Sequence, residues 1–218
     1  MKKLSTSKQM AINMVAAIVS FLIGTGINFV LAPYLVKELG SETYGFIGLA
    51  NNFVQYATIV TSALNSMSGR FISIEYSKGN IDKASRYFSS VLVADLIIAG
   101  VLLLVSSIIT FNIEFILNVP ENLVDSVKIL FALTFATFII SVITAIFTTA
   151  AFVKNKLYIN SLRDIASNTL KLLLVVILFS FFPAKVYFLA MASLASGIFL
   201  LLTNIKVKNK ICLLYTSP

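Results

Sequence analysis

Histidine and tryptophan are absent from this 218-residue chain, and cysteine occurs once. Without histidine, the chain lacks the commonest metal ligand and the usual general base near neutral pH. A single cysteine excludes both an internal disulfide and a thiolate metal cluster. These absences argue against an enzyme, and we expect neither a cofactor nor a bound metal.

Charged residues are also scarce, at 12% of the chain, whereas 58% is hydrophobic and the mean hydropathy is +0.94. Soluble globular domains do not have this composition. The net charge of +8 would suggest a nucleic-acid partner in a soluble protein. Here the basic residues border long apolar runs, so we expect membrane lipids as partners and no nucleic acid.

Six apolar runs are long enough to cross a bilayer, which takes about 20 residues as a helix. They predict an all-α membrane protein, a six-transmembrane-helix bundle, because backbone groups in lipid must be paired within each segment. We expect Pro33 to kink or end the first helix. Lys171 interrupts the fifth run, and we expect its stem to reach the cytoplasmic interface. The predicted spans are 10–36, 43–69, 87–110, 127–153, 166–182 and 186–205.

Basic residues are concentrated on alternate connecting segments, which hold 14 of the 17 lysines and arginines. Short loops rich in lysine and arginine stay in the cytoplasm. The pattern therefore predicts a multi-pass membrane protein with both termini cytoplasmic. The 14 residues are Lys2, Lys3, Lys8, Arg70, Lys78, Lys83, Arg86, Lys154, Lys156, Arg163, Lys171, Lys206, Lys208 and Lys210.

Polar residues recur at helical spacing inside the spans. Such stripes are typical either of helix packing through hydroxyls and small residues or of a hydrated cavity. Packing is favoured for the fourth span, whereas the amides of the second span fit a cavity equally well. The stripes are Asn51, Gln55, Thr58, Ser62 and Asn65; Thr134, Thr137, Ser141, Thr144 and Thr148; and, more loosely, Asn13, Ser20, Gly24 and Asn28.

Asp95 is an acidic residue about 12 Å deep in the third span, if the span is helical. An ionisable group at such depth usually faces a cavity or a partner. One interpretation is a coupling site for H⁺ or Na⁺. The alternative is a structural ion pair with Lys171.

Two segments carry a family resemblance: LVKELGSETYG at 35–45 and GRFISIEYSKGNIDKASR at 69–86. In their order and spacing they resemble the N-terminal signature of Wzx-like oligosaccharide flippases, the polysaccharide-biosynthesis branch of the MATE-related exporter superfamily. The resemblance implies a protein of the bacterial inner membrane that exports an oligosaccharide carried on polyprenyl pyrophosphate. Transport would occur by alternating access between two six-helix lobes.

On that resemblance, residues 1–211 would be the N-terminal lobe of a two-lobed MATE-like transporter and inactive without the C-terminal lobe. The expected substrate path is Asn28, Asn51, Gln55 and Asn65, with Arg70 either binding the pyrophosphate or anchoring the cytoplasmic side. Two alternatives remain: a MATE-type cation-coupled exporter of small molecules, and a structural membrane protein that transports nothing.

The last seven residues, CLLYTSP at 212–218, resemble the translation of a transposon-based sequencing adapter. We therefore expect this tail to be non-native.

Overall fold

The computed structural model describes the backbone of residues 6–211 and, within that range, the side chains of all but residues 6, 60, 63, 64 and 208–211. The predicted non-native tail lies outside the described residues. The described chain is helical almost throughout. In order, its elements are α1 (Thr6–Leu39), α2 (Ser41–Ser77), α3 (Ile81–Phe111), the short α4 (Ile113–Ile116), a 3-10 turn (Glu121–Leu123), α5 (Val124–Val153), α6 (Tyr158–Phe181) and α7 (Phe188–Ile211).

Tight turns separate several of the long helices. Gly40 alone joins α1 to α2, and its φ of 80° is a conformation that suits glycine. Pro33 lies inside α1, which continues to Leu39. Of the two outcomes expected at Pro33, an end of the helix is therefore excluded, and a kink stays a prediction.

The helix α5 lies at the centre of the bundle, in contact with α2, α3 and α7, while α1 packs on α6 and α6 on α7. The apolar side chains of α5 pack at two levels. Phe131 belongs to a buried cluster with Phe46 of α2 and Ala190 of α7, and Ile146 to another with Ile72 and Phe88. The ends of α1, α6 and α7 share a third buried cluster.

Five helical segments of the described chain are long and apolar enough to cross a membrane. They correspond to the first, third, fourth, fifth and sixth predicted spans. The helix α2 is 37 residues long but is not among them, and it carries the Asn/Gln stripe. The all-α membrane fold is thus confirmed, whereas the second predicted span, and with it the count of six, stays a prediction.

The basic segments lie at one end of the bundle. Asn13, near the start of α1, donates a 2.9 Å hydrogen bond to Asn155 in the α5–α6 turn. Lys154 in the same turn lies over the ring of Tyr76, at the end of α2, 4.6 Å from its centroid. The end of α7 lies beside the start of α6, where Arg163 bonds to Asn204. This grouping is what alternating topology requires, although the side of the membrane on which it lies stays a prediction.

Candidate functional site

A cavity of about 530 Å³ lies between α2, α5, α6 and α7. The helices α5 and α6 follow each other in sequence but barely touch, and the cavity occupies the space between them. Fourteen of its 23 lining residues are polar. They are Asn51, Thr58, Thr134, Thr137, Ser141, Thr144, Thr148, Asp164, Ser167, Asn168, Lys171, Ser193, Ser196 and Asn204.

One wall of the cavity is the complete Thr/Ser stripe of α5. Four of its hydroxyls, those of Thr137, Ser141, Thr144 and Thr148, donate to backbone carbonyls of their own helix at 2.7 to 2.8 Å. A hydroxyl has one proton to donate and two lone pairs to accept with. Because the protons of these four are engaged, the α5 wall offers hydrogen-bond acceptors to whatever enters the cavity.

The opposite wall, on α6, carries two charges. Asp164, Asn168 and Lys171 are spaced by four and three residues and therefore share one face of the helix, and all three line the cavity. Lys171 and Asn168 can donate hydrogen bonds, in contrast to the hydroxyls of α5. The cavity thus has an acceptor wall and, on α6, a wall with donors and both signs of charge.

The position of Lys171 differs from the sequence-based expectation. The helix α6 begins at Tyr158, eight residues before the predicted fifth span, and continues to Phe181. Lys171 therefore lies near the middle of the helix, about 20 Å from its start. The site was not predicted because the sequence pattern placed Arg163 in a cytoplasmic loop and Lys171 at the cytoplasmic end of the fifth span. The helical spacing of Asp164, Asn168 and Lys171 could have indicated it.

Arg163 lies on a neighbouring face of α6 and serves packing. Its guanidinium is buried and donates to the side-chain oxygens of Asn204 on α7 and Asn160, and to the backbone carbonyl of Ile159. Two of these three acceptors are on α6 itself. The buried charge is therefore satisfied while it joins α6 to α7.

A second, more open cavity of about 430 Å³ lies between α1 and α6. Ser20, Gly24 and Asn28 of α1 line it, as the loose stripe of the first span suggested. Asp164 and Asn168 border both cavities. The two cavities therefore meet at the polar face of α6.

The predicted path residues are divided among several places. Asn51 lines the main cavity, and Asn28 lines the second one. Gln55 and Arg70 are exposed and line neither. Asn65 also lies outside both cavities, and its amide donates to the backbone carbonyl of Thr61 at 3.1 Å. The role of each in transport stays a prediction.

Asp95 is 1% exposed and lies outside both cavities. Its helix, α3, packs on α2 and α5 and does not contact α6. The alternative ion pair between Asp95 and Lys171 is therefore not formed. A coupling role for Asp95 stays a prediction.

The long apolar helices and the polar cavity among them define the class: this is an all-α, multi-pass membrane protein. Residues 10–213 match the family described as "Polysaccharide biosynthesis protein", and the chain belongs to that family. The resemblance carried by 35–45 and 69–86 is confirmed.

A relative from Bacillus subtilis (strain 168), described as "Uncharacterized membrane protein EpsK", is 33% identical over 187 residues. The aligned region covers 86% of this chain and 37% of that protein. The chain thus spans little more than a third of the relative's length. No solved structure matches the chain.

Proposed function

We propose that this chain is part of a flippase that moves a polyprenyl-pyrophosphate-linked oligosaccharide across the bacterial inner membrane by alternating access. In this proposal the cavity between α5 and α6 holds the polar part of the substrate. The polyprenyl tail stays in the lipid, which matches the apolar outer surfaces of helices such as α1 and α3.

The observation that carries the proposal is the chemistry of the cavity. Sugar hydroxyls are abundant hydrogen-bond donors, and the α5 wall presents acceptors from Thr137, Ser141, Thr144 and Thr148. A purely structural role would leave no reason for so many polar groups to surround open space at membrane depth, where unsatisfied polar groups are costly. The hydroxyls of a sugar and its bound water would form hydrogen bonds with these polar groups.

Lys171 is the residue we assign to the anionic end of the substrate. Its ammonium is a compact charge with three donors, and such a group binds phosphate as a point charge. Arg70, which is exposed on α2, would act earlier, either at the entrance or as an anchor to anionic lipid. Asn28 and Asn51 would line the path on either side of the polar face of α6.

The proposal includes a second six-helix lobe that completes the transporter. An even number of spans returns each lobe to the side where it began, so the lobes would be related by an axis along the membrane normal. The basic end of the bundle would face the cytoplasm. Residues 1–211 alone would then fail to transport in liposomes.

The test uses the intact gene in a strain that lacks it. We expect Lys171→Met to lower export of surface glycan about tenfold or more, because a charge-assisted hydrogen bond contributes about 1.5 to 3 kcal/mol. The readouts are surface glycan and the lipid-linked intermediate that accumulates inside. Lys171→Arg, which keeps the charge, should restore part of the export.

Lys185→Met is the matched control, since Lys185 is exposed in the α6–α7 connection and should tolerate the change. Protein levels are compared by immunoblot. If Lys171→Met and Asn51→Leu both export normally at unchanged protein level, the cavity is not the substrate path. Loss of drug resistance without any change in glycan would instead indicate a small-molecule exporter.

A further inference from the structure

Two buried side-chain oxygens of the described residues have no hydrogen-bond partner: Oδ1 of Asn65 on α2 and Oδ2 of Asp95 on α3. Both are acceptors, and a buried acceptor without a donor is costly. A buried carboxylate costs far more than an amide oxygen. Each of the two oxygens therefore lacks a hydrogen-bond donor.

The packing of α2 against α3 indicates at what level each of these two residues lies. The two helices are joined by a short turn, and the rings of Phe71 and Tyr87 are 6.0 Å apart across the pair. Ile72 and Phe88, the next residues along each helix, belong to one buried cluster.

Asn65 is seven residues before Ile72, and Asp95 is seven residues after Phe88. Seven residues are about two helical turns and bring a side chain back to the same face. Because the helices run in opposite directions, both steps lead the same way along the pair. On this spacing we infer that Asn65 and Asp95 face each other two turns further from the α2–α3 turn than Ile72 and Phe88.

The surroundings offer no positive charge to Asp95. On α2 the nearest titratable residues are Tyr56 and Arg70, both exposed, and on α5 none lies between Lys128 and Lys154. On α3 itself the nearest is Tyr87, more than two turns away. The only acid of the short α4, Glu114, pairs with Lys128 at 3.1 Å. Neither ion pair found among the described residues involves Asp95, so an ionised Asp95 would be buried without a salt-bridge partner.

We propose that Asp95 and Asn65 form a proton-binding site, in which a proton taken from solvent sits on Oδ2 of Asp95 and is donated to Oδ1 of Asn65. One hydrogen then satisfies both unpartnered oxygens and removes the buried charge. A metal ion would require several further oxygen ligands. The described residues contain no cluster of three or more acidic, cysteine or histidine side chains for a metal.

The site is placed to influence the cavity, a consequence that rests on the proposed function. The helices α2 and α5 pack on α3 and also supply Asn51, Thr58 and the hydroxyl wall to the cavity. When Asp95 loses its proton, the unpaired charge favours a different packing of α3 against those two helices. Protonation would thereby bias the conformations of the transporter.

Infrared difference spectroscopy on the intact protein in nanodiscs tests the site without any transport. We expect a protonated-carboxyl C=O band at neutral pH that disappears in Asp95→Asn. The side-chain amide introduced by this substitution can still donate to Asn65, so the variant keeps the contact. Asp82→Asn is the matched control on the same helix, since Asp82 is exposed, and it should leave the band unchanged.

Asn65→Leu should shift the frequency of the band, because the acceptor is lost. If the wild type and Asp95→Asn do not differ in the protonated-carboxyl region, Asp95 is ionised and the proposal is overturned. If Asn65→Leu leaves the frequency of the band unchanged, Asp95 does not donate a hydrogen bond to Asn65, and that part of the proposal is overturned. Stabilisation by Na⁺ that Asp95→Asn abolishes would assign a metal site instead.

In proteoliposomes, export by the wild type should respond to a proton gradient, and export by Asp95→Asn should not. A gradient response that survives in Asp95→Asn would overturn the coupling role. If even the wild type moves no glycan, the proposed function fails, while the infrared result still decides the proton site.

Discussion

Replacing Asn13 by leucine should destabilise the bundle, because it removes the three hydrogen bonds that connect α1 with the α5–α6 turn. A fourth bond of Asn13, from Gln9 at 3.4 Å, lies within α1. The Asn13 amide donates to Oδ1 and to the backbone carbonyl of Asn155 at 2.9 and 3.1 Å, and its Oδ1 accepts from the Tyr158 N–H at 3.1 Å. Asn13 is 7% exposed, so water replaces these bonds poorly. The contacts join α1 to the α5–α6 turn.

The magnitude follows from the number of bonds. Net hydrogen-bond contributions are about 0.6 kcal/mol on average within membranes and up to about 1.5 kcal/mol in soluble proteins. Three bonds therefore correspond to about 2 to 4.5 kcal/mol. Leucine is close to asparagine in size, so the loss should come mainly from the bonds rather than from a cavity.

The assay is the free energy of unfolding of the intact protein in mixed detergent micelles. Asn52→Leu is the control, because Asn52 is an exposed amide on α2 and should change stability by no more than about 0.5 kcal/mol. If Asn13→Leu is no more destabilising than Asn52→Leu, the three bonds contribute no net stability and the reasoning is refuted.

A double-mutant cycle with Asn155→Gly isolates the side-chain bond. Asn155 has a φ of 53°, which glycine adopts freely, so the substitution removes the side chain without backbone strain. We expect the double variant to be about 1 kcal/mol more stable than the sum of the single changes predicts. Strict additivity would mean that the two amides do not interact.

Two further predictions concern α1 and the α2–α3 turn. Gly24→Val should destabilise the contact between α1 and α6 by about 1 to 3 kcal/mol in the same unfolding assay, because a Cβ at Gly24 would lie 3.2 Å from Asn168 Nδ2. Gly26→Val, with no atom within 4 Å, is its control, and equal effects would refute the steric argument. In the turn, a 2.9 Å hydrogen bond from Asn80 lowers the pKa of Glu75, so Asn80→Ala should raise that pKa in an NMR titration. Because the pKa of Glu75 is lowered in the folded state, its contribution to stability is present above the unfolded-state pKa and is lost as the pH falls through the folded-state pKa. An unchanged pKa of Glu75 in Asn80→Ala would refute the assignment.

The membrane class, the family and the grouping of basic segments could be predicted from local patterns. The length of the apolar runs and the alternation of basic loops depend only on the order of residues along the chain. Both can therefore be recognised in the sequence without knowledge of the fold. The stripe of α5 was also visible, because helical periodicity alone places Thr134 to Thr148 on one face. Whether that face met another helix or a cavity could not be decided, since both use the same residue types.

Only the tertiary structure decided how the helical faces combine. It brought the hydroxyls of α5 opposite Lys171, placed Lys171 in mid-helix, and gave Asn13, a member of the loose stripe of the first span, a structural role. Periodicity fixes which residues share a face of one helix, whereas the partner of that face is chosen by packing between helices distant in sequence.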